Sequence, residues 1–124
     1  MIIREKNEKD LVKIKRYLDL VFRSTYECFI KDEMDGLIVE SFICENPNGF
    51  VYVSKNEKSY GIKFAFEENP SSVDVQRIHN KIEKYYNDKQ IKKIYITANS
   101  SSTNIVNYYD SNHVKLWYTA YDLE

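Results

Sequence analysis

The sequence predicts a single α/β domain over residues 1–124, with a mixed sheet flanked by helices. Two observations support this fold class. Short strand-like segments alternate with amphipathic helical segments, and 124 residues is the length of one ordinary domain. Hydrophobic residues make up 43% of the chain and charged residues 30%, which is a globular composition and argues against disorder.

The chain begins with a strand-like segment and a helix. Residues 1–4 are apolar enough for a short strand, and Asn7 followed by Asp10 is typical of a helix N-terminus. Apolar residues then recur at helical spacing, which predicts an amphipathic helix over residues 10–23.

Residues 26–45 fit two interpretations. Residues 32–42 could form a second helix, or residues 37–44 could form a strand, and short apolar runs fit both.

The second half of the chain predicts a hairpin followed by alternating helices and strands. Period-two alternation predicts a half-buried antiparallel pair of strands, and helical spacing and capping residues predict the helices. The predicted segments are strands at 50–53 and 60–66, a helix at 72–88, a strand at 92–97, a short helix at 103–110 and a strand at 114–123.

Charge and composition limit the functional classes. The net charge is −1, with 18 basic and 19 acidic residues interspersed, so dedicated binding of nucleic acid is not favoured. We expect no membrane segment and no signal peptide, hence a cytoplasmic protein. In a reducing cytosol Cys28 and Cys44 are expected to be two small buried side chains.

No intact catalytic or cofactor motif is present. His79 is expected at the edge of the core, and His113 in an exposed turn. Neither has a second His or Cys at metal-ligand spacing. The sequence holds no Gly-rich phosphate loop. We therefore predict neither a metal site nor a cofactor.

Several segments of the second half carry a family resemblance. Val75-Gln76 opens a predicted helix that Lys84-Tyr85-Tyr86-Asn87-Asp88 closes, and the two strands after it read Ile94-Tyr95-Ile96-Thr97 and Val114-Lys115-Leu116-Trp117. In order and spacing, residues 48–123 resemble the restriction-endonuclease-like fold, in particular its Mrr-type branch, which cuts modified DNA.

This resemblance implies a degenerate nuclease site. The family needs an Asp near the second strand, and a Glu or Gln two residues before a Lys on the third strand, to bind a divalent metal and orient water. Tyr52, Lys63 and Ala65 stand at these three positions. Moving the alignment by two residues keeps Lys63 as the Lys but leaves Gly61 at a ligand position.

A second resemblance starts from the N-terminus. Met1-Ile2-Ile3-Arg4-Glu5 with Asp10-Leu11, and later Ser102, Ile105, Tyr108-Tyr109 and Asn112-His113-Val114, are similar to segments of the GNAT acetyltransferase superfamily. The resemblance implies Tyr109 as general acid. It also implies poor binding of acetyl-CoA, because Pro70 to His79 lacks the family's glycines and a strand is missing between Phe66 and Ser72.

We favour the nuclease-like resemblance, and with it a non-catalytic binding protein. Such a protein would act as an inhibitor, an immunity protein or an accessory subunit, with another protein as its partner. Whether it is an enzyme stays open, with a GNAT-like acyltransferase as one alternative. Another alternative is a nucleic-acid-binding accessory protein with a basic face of Lys55, Lys58, Lys63, Lys92 and Lys93. Pairing of sheet edges would also allow a homodimer.

Overall fold

A computed structural model of the protein describes residues 1–111 and 116–118. The strands are β1 (Ile2–Arg4), β2 (Ile38–Glu45), β3 (Gly49–Asn56), β4 (Ser59–Phe66), β5 (Lys93–Ala98) and β6 (Leu116–Tyr118). The helices are α1 (Leu11–Leu18), α2 (Thr25–Met34), α3 (Ser72–Tyr86) and α4 (Thr103–Ser111), and a 3₁₀ turn (Glu8–Asp10) leads into α1.

The described strands form one mixed sheet. Their order across the sheet is β1-β2-β3-β4-β5-β6. Neighbours from β1 to β4 are antiparallel, and β5 and β6 continue parallel to β4. The predicted α/β class, a mixed sheet flanked by helices, is confirmed. None of the described helices combines the length and the apolar character that a membrane span requires.

The start of α1 follows the prediction, but its end does not. The Asn7 side chain accepts a hydrogen bond from Lys9 N–H, and the Asp10 carboxylate accepts one from Asn7 N–H. The helix ends at Leu18 rather than at residue 23. A tight turn follows, closed by a hydrogen bond from Val21 N–H to the Leu18 carbonyl, and it buries Val21 in the core.

The segment that fitted two interpretations contains a helix and then a strand. The strand interpretation is correct, and a helix over residues 32–42 is wrong. The physical reason is Gly36, which has φ +72 and ends α2. Gly36 N–H donates a hydrogen bond to the Glu33 carbonyl, and Leu37 N–H donates one to the Asp32 carbonyl. This pair of hydrogen bonds is the pattern of a Schellman cap.

The hairpin of β3 and β4 is antiparallel as predicted, but it is not half-buried. Phe50, Val51, Tyr52 and Val53 are all fully buried, because helices cover both faces of the sheet at β3. Side chains alternate between the two faces along a strand. Phe50 and Tyr52 therefore pack towards α1 and α2, while Val51 and Val53 pack towards α3.

Two hydrophobic cores lie on opposite faces of the sheet. The core below α1 and α2 contains Ile14, Tyr17, Leu18, Val21, Phe29, Ile43, Phe50, Tyr52 and Ala65. The larger core below α3 and α4 includes Phe64, Phe66, Val75, Ile78, Ile82, Ile94, Ile96, Ile105 and Tyr109.

The later elements agree with the predictions to within a few residues. The helix predicted over 72–88 is α3, the strand over 92–97 is β5, and the short helix from 103 is α4. The last predicted strand, 114–123, is seen at Leu116–Tyr118. Its other residues, and His113, lie outside the described residues.

Candidate ligand-binding cavity

The helices cover the two faces of the sheet unequally. On β5, Ile94, Ile96 and Ala98 belong to the core below α3 and α4. Tyr95 and Thr97 alternate with them and so point to the opposite face. There α1 packs on β3 and β4, and the Tyr95 side chain keeps 39% of its surface exposed. This leaves a recess over β4 and β5 beside the two N-terminal helices.

The recess is a cavity of about 800 Å³. Its helical wall is formed by the connection between α1 and α2 and the first turns of α2, with the residues Phe22, Arg23, Ser24, Thr25 and Cys28. The wall formed by the sheet consists of Gly61, Ile62, Lys63, Tyr95 and Thr97. Most of the lining surface is therefore carbon, with cationic, hydroxyl and thiol groups placed around it.

Lys63 is the charged group of the wall formed by the sheet. Its ammonium lies 5.2 Å from the centre of the Tyr52 ring, on the neighbouring strand. Burial lowers the pKa of Lys63, and attraction by Asp32 and Cys28 opposes the shift only in part. Within residues 1–109 no carboxylate lies within 4.0 Å of this ammonium.

The three degenerate nuclease positions occupy different environments. Tyr52 and Lys63 are direct register partners, and Ala65 pairs with Phe50. Tyr52 and Ala65 are fully buried in the core below α1 and α2, and only Lys63 lines the cavity. Burial raises the pKa of Tyr52 well above its usual range, and its hydroxyl has no hydrogen-bond partner among the described residues.

Metal-ligand geometry is not found in the described part of the chain. There, no group of three His, Cys, Asp or Glu side chains is placed to hold a metal ion. His79 lies in that part.

The two cysteines differ in exposure. Cys44 is buried as predicted, and burial raises the pKa of its thiol to about 12. The prediction that Cys28 is buried is wrong, because Cys28 lies on the exposed side of α2 and lines the cavity. The residue that packs inward from this helix is Phe29, which is fully buried.

Tyr109, the candidate general acid, lies on the other face of the sheet. It is 1% exposed, and its hydroxyl is 3.3 Å from Nδ1 of His79. The rings of Phe64, Tyr86 and Tyr108 surround it. His79 is half-buried, as predicted for a residue at the edge of the core, and burial lowers its pKa. Tyr109 therefore does not contribute to the cavity.

The turn from β4 to α3 is poorly suited to bind a phosphate group. At the first turn of α3, the Ser71 hydroxyl already accepts from Asp74 N–H, and the Ser71 carbonyl accepts from Val75 N–H. Glu67, Glu68 and Asp74 add negative charge around this turn, which disfavours an anion. Next to it, the Asn99 side chain bonds the peptide groups of Phe66 and closes the gap between the ends of β4 and β5.

Four of the five lysines of the predicted basic face lie near one another. Lys55 and Lys58 are on the β3–β4 hairpin, Lys92 directly precedes β5, and Lys93 is its first residue. Lys92 N–H donates to the Lys58 carbonyl at 2.8 Å, which brings the two segments together. Lys63 does not belong to this group, since it lines the cavity.

The sequence patterns do not identify most of the residues that line the cavity. The residues left out are Arg23, Cys28, Tyr95 and Thr97. The signal available for Tyr95 and Thr97 was their alternation with Ile94 and Ile96, which places them on a separate face. For Arg23 and Cys28 no sequence signal existed, because their position depends on where α1 ends.

Comparisons with protein-family models, with curated proteins and with solved structures found no match.

Proposed function

We propose that this protein is a non-catalytic binding protein that holds a ligand in the cavity between α2 and the strands β4 and β5. The observation that carries the proposal is the cavity itself. Its volume of about 800 Å³ falls within the range of roughly 300–1,000 Å³ that is typical of ligand sites. Its lining also follows the usual composition of such sites, a mostly apolar surface with a few polar groups.

The lining supports binding rather than catalysis. General acid–base chemistry relies mostly on His, Asp and Glu, and none of the described residues that line the cavity is of these types. His79 and Tyr109 lie on the opposite face of the sheet. The order of elements from β2 to β6 is compatible with the nuclease-like resemblance, in which Tyr52, Lys63 and Ala65 replace the residues that the chemistry needs.

A binding role of this kind suits an inhibitor, an immunity protein or an accessory subunit. Binding of the partner protein that the sequence predicts would then depend on whether the cavity holds its ligand. This part of the proposal rests on the sequence, and the cavity is the part that can be tested directly.

The test is an NMR titration with small probes that differ in their head group. Backbone amide spectra are recorded with 1-octanol, octanoate, octylamine and cyclohexanol. At least one probe should shift amides of lining residues such as Thr25, Gly61 and Thr97. Cys28→Trp, which fills the cavity, should abolish the shifts. The matched variant Glu27→Trp, on the exposed face of the same helix, should keep them.

Two outcomes would overturn the proposal. One is that none of the four probes shifts an amide of the lining. The other is that the shifts persist in Cys28→Trp, which would place the bound probe elsewhere.

A GNAT-like acyltransferase is the second candidate. The observation in its favour is β2, which completes a run of four antiparallel strands, β1 to β4, before α3. Against it stand the side chain of Asn99 between β4 and β5, and the acidic first turn of α3 without glycine.

Acetyl-CoA separates the two candidates. A ligand present at about a hundred times its Kd adds roughly 2.7 kcal/mol to the stability of the folded state. For a domain of this size that raises the Tm by on the order of ten degrees. A rise of this size would favour the acyltransferase, and an unchanged Tm would favour the binding protein.

A further inference from the structure

The charges around the cavity have one sign. Arg23 and Lys63 are cationic, and no Asp or Glu is among the described residues that line it. Several cations elsewhere in the fold pair with a carboxylate: Arg4 with Asp10 and Glu45, Lys6 with Glu33, and Arg16 with Glu67. Among the described residues, neither Arg23 nor Lys63 has a carboxylate within ion-pair distance, so the positive charge at the cavity is unpaired there.

The unpaired positive charge at the cavity is best defined at Lys63. Its ammonium is partly removed from water, and its close contact is the face of the Tyr52 ring. A ring attracts a cation but carries no net charge, so it does not neutralise it. Asp32 attracts Lys63 only from beyond ion-pair distance. A charge that is taken out of water gains most from a counterion at hydrogen-bond distance.

The rest of the lining indicates what the anion is attached to. Phe22 and Tyr95 present carbon to the cavity, while Ser24 and Thr25 add hydroxyl groups at its helical wall. An inorganic anion would leave this carbon surface in contact with water. An anionic group on an apolar body would satisfy both parts of the lining.

We infer that the ligand of this cavity is a small organic anion, with its acidic group at Lys63 and its apolar body against Phe22 and Tyr95. This inference rests on the proposed binding function and adds the chemical class of the ligand. Arg23 is more exposed than Lys63. It therefore attracts the anion towards the cavity rather than fixing its position.

The experiment compares probes of equal chain length on the intact protein. Calorimetry gives the Kd of octanoate, 1-octanol and octylamine for the wild type. Octanoate should bind at least about tenfold more tightly than 1-octanol, the effect of one hydrogen bond to a charged group. Lys63→Met should remove this difference, and Lys63→Arg should keep it. The control Lys89→Met makes the same change at an exposed site and should leave every Kd unchanged.

The outcomes separate this inference from the proposed function. If 1-octanol binds as tightly as octanoate, or octylamine binds more tightly, the inference is overturned while the cavity remains a binding site. An equal loss of octanoate and 1-octanol binding in Lys63→Met would also overturn it, because the lysine would then act through packing alone. If none of the three probes binds, the inference is wrong, and the proposed function is wrong as well if cyclohexanol also shifts no amide of the lining.

Discussion

The carboxamide of Asn99 satisfies both backbone groups of Phe66. Its Oδ1 accepts from Phe66 N–H at 3.0 Å, and its Nδ2 donates to the Phe66 carbonyl at 2.8 Å. Backbone pairing between β4 and β5 ends at Phe64 and Ala98. The Asn99 side chain therefore provides the two hydrogen bonds that the backbone of a neighbouring strand would otherwise make to Phe66.

Replacing Asn99 by Ala should destabilise the fold. Asn99 is 3% exposed, so the change leaves both groups of the Phe66 peptide buried and unpaired. Such a loss costs about 1–3 kcal/mol per unsatisfied group. The free energy of unfolding in urea measures it. Asn80→Ala, on the exposed face of α3, should change it by less than about 0.5 kcal/mol, and an equally small effect at Asn99 would contradict the argument.

Gly49 is required by the close approach of Phe66 across the β3–β4 pair. A Cβ at residue 49 would lie 2.6 Å from Cε1 of the Phe66 ring. Both residues are buried, so the added methyl group would overpack the core. Gly49→Ala should therefore lower the free energy of unfolding by about 1–3 kcal/mol.

Gly61→Ala is the matched control for Gly49→Ala. Its Cβ would meet the Ser54 hydroxyl at 3.1 Å, and that side chain can rotate away. Thermal unfolding of the two variants should therefore give clearly different losses. A loss at Gly61 as large as at Gly49 would contradict this explanation.

The ion pair of Arg4 and Asp10 should make stability depend on acid pH. Two hydrogen bonds of 2.8 and 2.9 Å join the guanidinium to the carboxylate. The bonds from Arg4 hold the pKa of Asp10 at about 2, below its ordinary value of 3.8. Because the folded-state pKa is the lower one, this stabilisation is complete above about pH 4. It is lost as the pH falls through 2.

Asp10→Asn tests this pH dependence. The variant should lose roughly 2 kcal/mol at pH 6, and its difference from the wild type should shrink between pH 4 and pH 2. Urea midpoints at several pH values measure both effects. Asp19→Asn, which breaks the surface pair with Lys15, should cost less than about 1 kcal/mol at pH 6. A difference at Asp10 that stays constant down to pH 2 would rule out the ion pair as its source.

Thiol reagents should distinguish the two cysteines. Cys28 is exposed on α2, whereas Cys44 is buried and has a pKa raised to about 12. Iodoacetamide at pH 8 should therefore modify one site in the native protein and both in urea, which mass spectrometry can count. If the cavity binds octanoate, saturating octanoate should slow the reaction at Cys28. Modification of Cys44 before Cys28 would contradict the described packing.

Much of the fold could be predicted from local patterns, because those patterns have local causes. The capping residue Asn7 and the helical spacing of apolar residues in α3 both behave as expected. The end of α1 and the strand β2 could not be fixed in this way. They depend on Val21 reaching the core and on Gly36 adopting a positive φ.

The cavity could not be predicted for a related reason. It is formed by residues far apart in the chain, such as Cys28, Lys63 and Thr97. The sequence points to Lys63 through a family resemblance and as part of a predicted basic face, but not as part of a cavity. What gives it a role here is that α1 and α2 leave the strands β4 and β5 uncovered, and that follows from helix length and packing rather than from a motif.

The helix that walls the cavity is held to the protein by few contacts. Within α2 only Thr25 and Phe29 are buried, whereas α3 buries Val75, Ile78, Ile82 and Tyr85. Segments with few buried contacts open locally at a small fraction of the global unfolding free energy. We therefore expect the amide hydrogens of α2 to exchange with deuterium well before those of α3. Fraying of this one short helix would then remove the helical wall of the cavity, while the sheet beneath it keeps its structure.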